Sequence, residues 1–227
     1  MQFKKDQAKF KILGMESYKN APKYLVSVDC VIFGYEDGEL KVLLCPRMVE
    51  PSYGAWSLMG GFVMPDESMD QAASRVLKNT VGLENIYLEQ VRTFSEPGRD
   101  SGGRVISQAY FALIRISEQD RKLVRSKGAH WWEISQLPEL IFDHPQMITE
   151  SLKKLQEVAF TDLIGRELLP EKFTLSQLHK LYGVIFGKTF DSANFRKKIL
   201  ATQQLIKLDE KDTQSSKKGA FYYKFKE

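Results

Sequence analysis

The sequence predicts an α+β fold, an α/β/α sandwich followed by a winged helix-turn-helix unit. Three observations predict it. Apolar, β-branched stretches recur through the first 159 residues together with two helical patterns. Three short helical patterns and a hairpin then close the chain. The surplus of positive charge is confined to that last part.

Tyr24 to Phe33 (YLVSVDCVIF) is rich in β-branched and aromatic residues. It is followed by the turn signal YEDGE and a second apolar run, LKVLLC, which together describe a hairpin. NIYLEQVRTFSE and RVISQAYFALIRI read as two further strands separated by the Pro- and Gly-containing loop PGRDSGG, and HWWEI reads as a short final strand. From Asp143 to Phe160, Ile148, Leu152, Leu155 and Ala159 fall at helical spacing with polar residues between them. Beyond Phe160, TDLIGRELLP gives a short helix ended before Pro170. TLSQLHKLYGVIFG gives a second helix, with Thr174 as N-cap and Leu175, Leu178 and Tyr182 on one face. DSANFRKKILATQQL gives a third, capped by Asp191 or Ser192. LIKLDEKDTQSSKKGAFYYKF alternates on both sides of a polar tip, as a two-stranded wing does. The chain therefore divides into an N-terminal extension (1–22), a sandwich domain (23–159) and a winged helix domain (160–227).

Composition narrows the function classes. The chain has 227 residues, 43% hydrophobic and 27% charged, and its apolar runs are broken by charges well before membrane-spanning length. The basic N-terminus MQFKKDQAKFKILG lacks a signal peptide's apolar segment, so a cytoplasmic protein is expected. Cys30 and Cys45 both lie in strand-like stretches, as reduced core thiols do; neither a disulfide framework nor a zinc site is expected. From residue 160 onward there are 13 Lys and Arg against 8 Asp and Glu, whereas the first 159 residues hold 20 against 21. That distribution suits a C-terminal unit that meets a polyanion, although a solvated basic tail has the same composition.

Rotation at the helical period sorts the third C-terminal helix. Phe195, Ile199, Thr202 and, at the margin, Leu205 turn inward. The opposite arc carries Ala193, Asn194, Arg196, Lys197, Ala201 and Gln204, after Ser192 at the helix start. Small residues there permit close approach to a duplex, Asn, Gln and Arg address base edges, and Lys addresses phosphates. Lys217 and Lys218 at the wing tip add a second basic element.

The stretch from Gly60 to Leu83, GGFVMPDESMDQAASRVLKNTVGL, resembles the Nudix box: G, five residues, E, seven residues, then REUxEExGU, with U aliphatic. Gly61, Glu67, Arg75, Leu77, Gly82 and Leu83 fit, while the other three glutamates of the pattern fall on Val76, Asn79 and Thr80. In that family the glutamates, clustered on one helix face, hold Mg²⁺ that activates water and neutralises a diphosphate. Their absence argues against hydrolysis, so neither a catalytic residue, a metal site nor a cofactor is expected. Arg75 is expected to pin the loop through Glu67 by a charge-assisted hydrogen bond.

A Nudix-like domain joined to a C-terminal winged helix is similar to the Nudix-related transcriptional regulators, and LLPEKFTL and the D-x-x-N-F-R-K-K run resemble their DNA-binding domain. The resemblance implies a homodimeric repressor that binds a palindromic operator in double-stranded DNA and is released by a small effector. Some members respond to ADP-ribose and govern NAD metabolism; others respond to sugars, arabinose among them. The missing diphosphate-handling metal site favours L-arabinose, with ADP-ribose as the alternative and a metal-dependent hydrolase as a second alternative. Candidate effector-binding residues are Asp29, Arg47, Tyr53, Trp56 and Glu67, followed by Glu96, Arg99, Arg104, His130 and Trp131. They supply the carboxylates, guanidinium groups and aromatic walls that a sugar pocket needs. Asp29 stands out, because it interrupts an apolar strand in which an unpaired carboxylate is costly to bury.

Overall fold

The computed structural model describes residues 21–82, 86–116, 125–126, 128–162, 164–213 and 219–226. Nearly all of the expected N-terminal extension, Leu83 of the box, and Lys217 and Lys218 of the wing lie outside them.

Strands β1 (Leu25–Glu36), β2 (Glu39–Pro46), β3 (Trp56–Ser57), β4 (Met59–Phe62), β5 (Tyr87–Phe94), β6 (Val105–Arg115) and β7 (His130–Glu133) form one mixed sheet. Its spine is the parallel pairing of β1 with β6, in register from Leu25 opposite Val105 to Tyr35 opposite Arg115. β2 pairs antiparallel with the C-terminal half of β1 across the Asp37-Gly38 turn. Both turn residues have positive φ, 53° and 85°, the geometry that matches a tight hairpin to strand twist. β4 pairs with the other half of β1, so β2 and β4 flank one strand in succession. Both short strands of WSLMGGF were missed by the sequence reading, since two and four residues are too few for alternation to show.

The sheet is buried on both faces, which is why β1 and β6 read as continuous apolar runs. Val28, Cys30 and Ile32 of β1 and Tyr110 and Ala112 of β6 pack beneath helix α1 (Met69–Val81) through Ala72, Ala73, Val76 and Leu77. Val31, Phe33, Phe111 and Leu113 point the other way, toward Met147, Ile148 and Leu155 of helix α2 (His144–Val158). Helix α1 opens on a capping box between Ser68 and Gln71 and closes at Gly82, whose φ of 73° only glycine adopts freely. Cys30 and Cys45 are both free thiols.

The second unit contains α3 (Gly165–Leu168), β8 (Phe173–Thr174), α4 (Leu175–Phe186), α5 (Ser192–Ala201), β9 (Leu205–Asp212) and β10 (Ala220–Phe225). The wing is three-stranded, in the order β8-β10-β9, rather than the two-stranded hairpin expected. The added strand comes from Thr174, whose extended backbone (φ −90°, ψ 155°) serves both the last rung opposite Tyr222 and the N-cap of α4. Phe173, Leu178, Tyr182, Phe195 and Ile199 belong to the same core as the α2 face of the sheet, so the winged helix and the sandwich share one hydrophobic interior. Polar contacts reinforce the join. Gln156 Nε2 donates to the Ile185 carbonyl at 2.8 Å, and the Tyr182 hydroxyl donates to the carbonyl of Ala159.

Candidate functional site

A cleft of about 470 Å³ opens between the end of β2, strand β4 and the N-terminus of α2. Asp29 of β1 forms its floor, facing Gly60 of β4. A Cβ on Gly60 would collide with Asp29 Oδ1, so the glycine makes room for the carboxylate. Three groups answer the buried charge. The Ser107 hydroxyl donates to Oδ2 at 2.6 Å, Arg99 Nη2 lies 3.6 Å from Oδ2, and His144 Nε2 lies 3.8 Å from Oδ1. The backbone amide of Leu58 donates to His144 Nδ1 at 3.1 Å, so the ring's proton resides on Nε2, toward Asp29. Burial pushes the His144 pKa down against the upward pull of Asp29, and His144 is therefore neutral at physiological pH.

The side chain of Arg99, in the loop before β6, is buried yet lines the cleft. Its fork is bidentate on Asp143, with Nε to Oδ2 at 2.8 Å and Nη2 to Oδ1 at 2.6 Å. Arg47 and Phe142 also line the cleft. The Arg47 guanidinium carbon stands 5.2 Å from the Phe142 ring centroid, and its Nε donates to the Pro51 carbonyl at 2.7 Å. Phe142 has φ 52°, a left-handed backbone that a bulky residue adopts only under strain.

Of the ten expected effector-binding residues, Asp29, Arg47 and Arg99 line this cleft. The other seven are not among its lining residues. Glu67 accepts from Arg75 Nε at 2.8 Å and Nη2 at 2.5 Å and from the Met64 amide at 2.8 Å, while Arg75 also donates to the Phe62 carbonyl. It is a loop pin, because its oxygens are already engaged. Trp56 packs edge-on against His130 and Trp132 at ring distances of 5.5 and 5.4 Å. Trp131 packs on the α1 side of the sheet, Arg104 lies over the Tyr24 ring, and Tyr53 and Glu96 are exposed. Phe142, Asp143, His144 and Ser107 were not anticipated. A Pro at position 145 marks the start of a helix, but nothing local says that its first residues face a pocket.

The box residues diverge although they share a helix. Val76 is buried against Gly61, where a Cβ would stand 2.9 Å from Val76 Cγ2; Thr80 reaches the cleft wall, and Asn79 is exposed. Among the described residues no three His, Cys, Asp or Glu side chains gather around a common point. A valine, an amide, a hydroxyl and a carboxylate committed to Arg75 do not fit the all-oxygen, largely anionic ligand set that Mg²⁺ prefers.

The C-terminal unit presents its own surface. Asp191 caps α5 by accepting from the Asn194 amide at 2.8 Å, and Phe195 and Ile199 are buried. Ser192, Ala193, Asn194, Arg196, Lys197 and Gln204 are all exposed. Lys207 and Lys211 join them on the wing, their ammonium groups 3.6 and 4.7 Å from the centroid of the Phe221 ring. A hollow of about 180 Å³ between Ser176, Arg196 and Phe221 links helix and wing.

This pairing of an effector-sized cleft with an exposed basic helix defines a two-part regulator, and comparison with known proteins specifies it. The NUDIX domain model matches residues 23–152, and the model of the NrtR DNA-binding winged helix domain matches residues 165–225. The ADPR responsive transcriptional repressor NtrR of Acinetobacter baylyi is 29% identical over 208 residues, which is 90% of this chain and 83% of that protein. The crystal structure of Shewanella oneidensis NrtR complexed with a 27mer DNA is 33% identical. It matches with a TM-score of 0.77 over 88% of this chain and 93% of that one. The NUDIX domain of the Shewanella protein complexed with ADP ribose is 31% identical, with a TM-score of 0.52 over 65% of this chain and 98% of that one. The chain belongs to the NrtR-like Nudix-related transcriptional regulators.

Proposed function

We propose that this chain is an operator-binding repressor whose Nudix domain recognises ADP-ribose, or a close nucleotide-sugar analogue, without hydrolysing it, and that the effector releases the DNA. The observation that carries the reading is the cleft. It is far roomier than a single pentose requires, yet it has an ordinary size for a pocket that encloses a nucleotide-like molecule. Asp29 can accept ribose hydroxyls, Arg47 and Arg99 can answer phosphate, and Phe142 offers a face for a base. The relatives add weight to ADP-ribose and none to L-arabinose, the first expectation from the sequence. Val76, Asn79 and Thr80, standing where the box would carry glutamates, favour recognition over turnover.

The DNA-facing assignment rests on Ser192, Ala193, Asn194, Arg196, Lys197 and Gln204, with Lys207 and Lys211 beside them. The active species is taken as a homodimer on a palindromic site, since a two-fold protein reads a two-fold operator. The test is a thermal scan and a gel shift with the DNA upstream of the chain's own gene, each with ADP-ribose and with L-arabinose. At about 100 times its Kd, a ligand stabilises by about 2.7 kcal/mol, which for a chain of this size raises Tm by roughly 5–10 °C. ADP-ribose is expected to produce that shift and to weaken the retarded band. A shift with L-arabinose alone would reverse the choice of effector, and steady hydrolysis of ADP-ribose with Mg²⁺ would restore the enzyme reading.

A further inference from the structure

We infer that Asp143 is a two-position switch that carries cleft occupancy to the DNA-binding unit, passing from a clamp on Arg99 to the N-cap of α2 when a ligand anion takes Arg99. Three observations meet at this residue. Asp143 occupies the N-cap position of α2, where aspartate is among the best capping residues, yet its side chain makes no capping hydrogen bond. Both its oxygens are held by the Arg99 fork. The residue before it, Phe142, lines the cleft in a left-handed backbone that no glycine relieves. The helix start is therefore held out of its preferred geometry by a contact with a cleft arginine.

The alternative arrangement loses no hydrogen-bonding partner. An anionic group in the cleft, such as a phosphate of the proposed effector, satisfies Arg99 in place of Asp143. The freed carboxylate then accepts from the amide of Gln146, the third helical residue, since Pro145 has no N–H to give. Rotating Asp143 into the cap carries Phe142 and the first turn of α2 with it. The far end of the same helix is bound to the winged helix, through Gln156 on the Ile185 carbonyl and Tyr182 on the Ala159 carbonyl. A shift at one end of a packed helix is thus delivered to α4, which packs against the DNA-facing α5. Linkage requires the converse, that operator DNA favours the clamped form and weakens ligand binding.

This switch rests on the effector reading only for the identity of the anion, and Asp143→Asn separates the two. Asparagine still caps but cannot hold a guanidinium as a carboxylate does, so the variant is driven toward the released form. Without any ligand it is expected to bind operator DNA about tenfold more weakly than the unmodified chain and to slow hydrogen exchange at the Gln146 amide. It is expected to bind ADP-ribose more tightly while responding to it less. Asp143→Ala, which neither clamps nor caps, tightens ADP-ribose binding but does not slow exchange at Gln146. Unchanged operator affinity and unchanged Gln146 exchange in Asp143→Asn would overturn the switch. If both change as expected while the unmodified chain fails to bind ADP-ribose, the switch stands and the effector reading falls.

Discussion

Glu67 keeps its place in the motif as a pin between loop and helix. Arg75 and the Met64 amide hold its pKa at about 2, well below the ordinary 4.5. Because the folded-state value is depressed, the contribution of this pair is fully present above pH 4.5 and is lost as pH falls toward 2. Unfolding temperatures of the unmodified chain and Glu67→Gln are therefore expected to converge as pH is lowered through that window. Parallel curves would show that the ionisation of Glu67 is not linked to folding. Asp29 makes the complementary point about what a sequence reveals. Its position in an apolar strand advertised a buried charge needing partners, but the partners come from residues 99, 107 and 144. No spacing within the chain connects them. They meet because β1 and β6 lie side by side in parallel and α2 begins beside Leu58, which are facts of topology.

Helices were more legible than short strands, for a local reason. Thr174 and Gln177, like Ser68 and Gln71, sit at the capping-box spacing, and each side chain satisfies a backbone amide within its own turn. Strands β3, β4 and β8 depend on distant partners and carry no pattern of their own. Thr174 belongs to both categories, ending β8 and starting α4, and it is buried. Thr174→Ala is expected to destabilise the chain by about 1 kcal/mol through the lost cap, measured as a lower urea midpoint with an unchanged slope. An unchanged midpoint would mean that the Gln177 side chain alone secures that end.

At the scale of the molecule, one core runs from Phe33 and Leu113 through α2 to Tyr182 and Ile199. The two units are therefore expected to unfold in a single transition reported alike by fluorescence and far-UV circular dichroism. Two separated transitions would show that the shared interior does not couple them. The proposed DNA-facing surface makes a second expectation. Replacing Arg196 and Lys197 together by alanine should reduce the salt dependence of operator binding, lowering the slope of log K against log salt by about 0.9 per lost phosphate contact. A slope equal to that of the unmodified chain would move the DNA contact elsewhere. None of the described helices is long and apolar enough to cross a membrane. Val76 is buried on the inner face of α1. A glutamate placed there would bring its charge into a site that is now apolar and buried, and a carboxylate buried without a partner is costly. Placing the box glutamate at this position alone would therefore meet the cost of desolvation before it supplied a metal ligand.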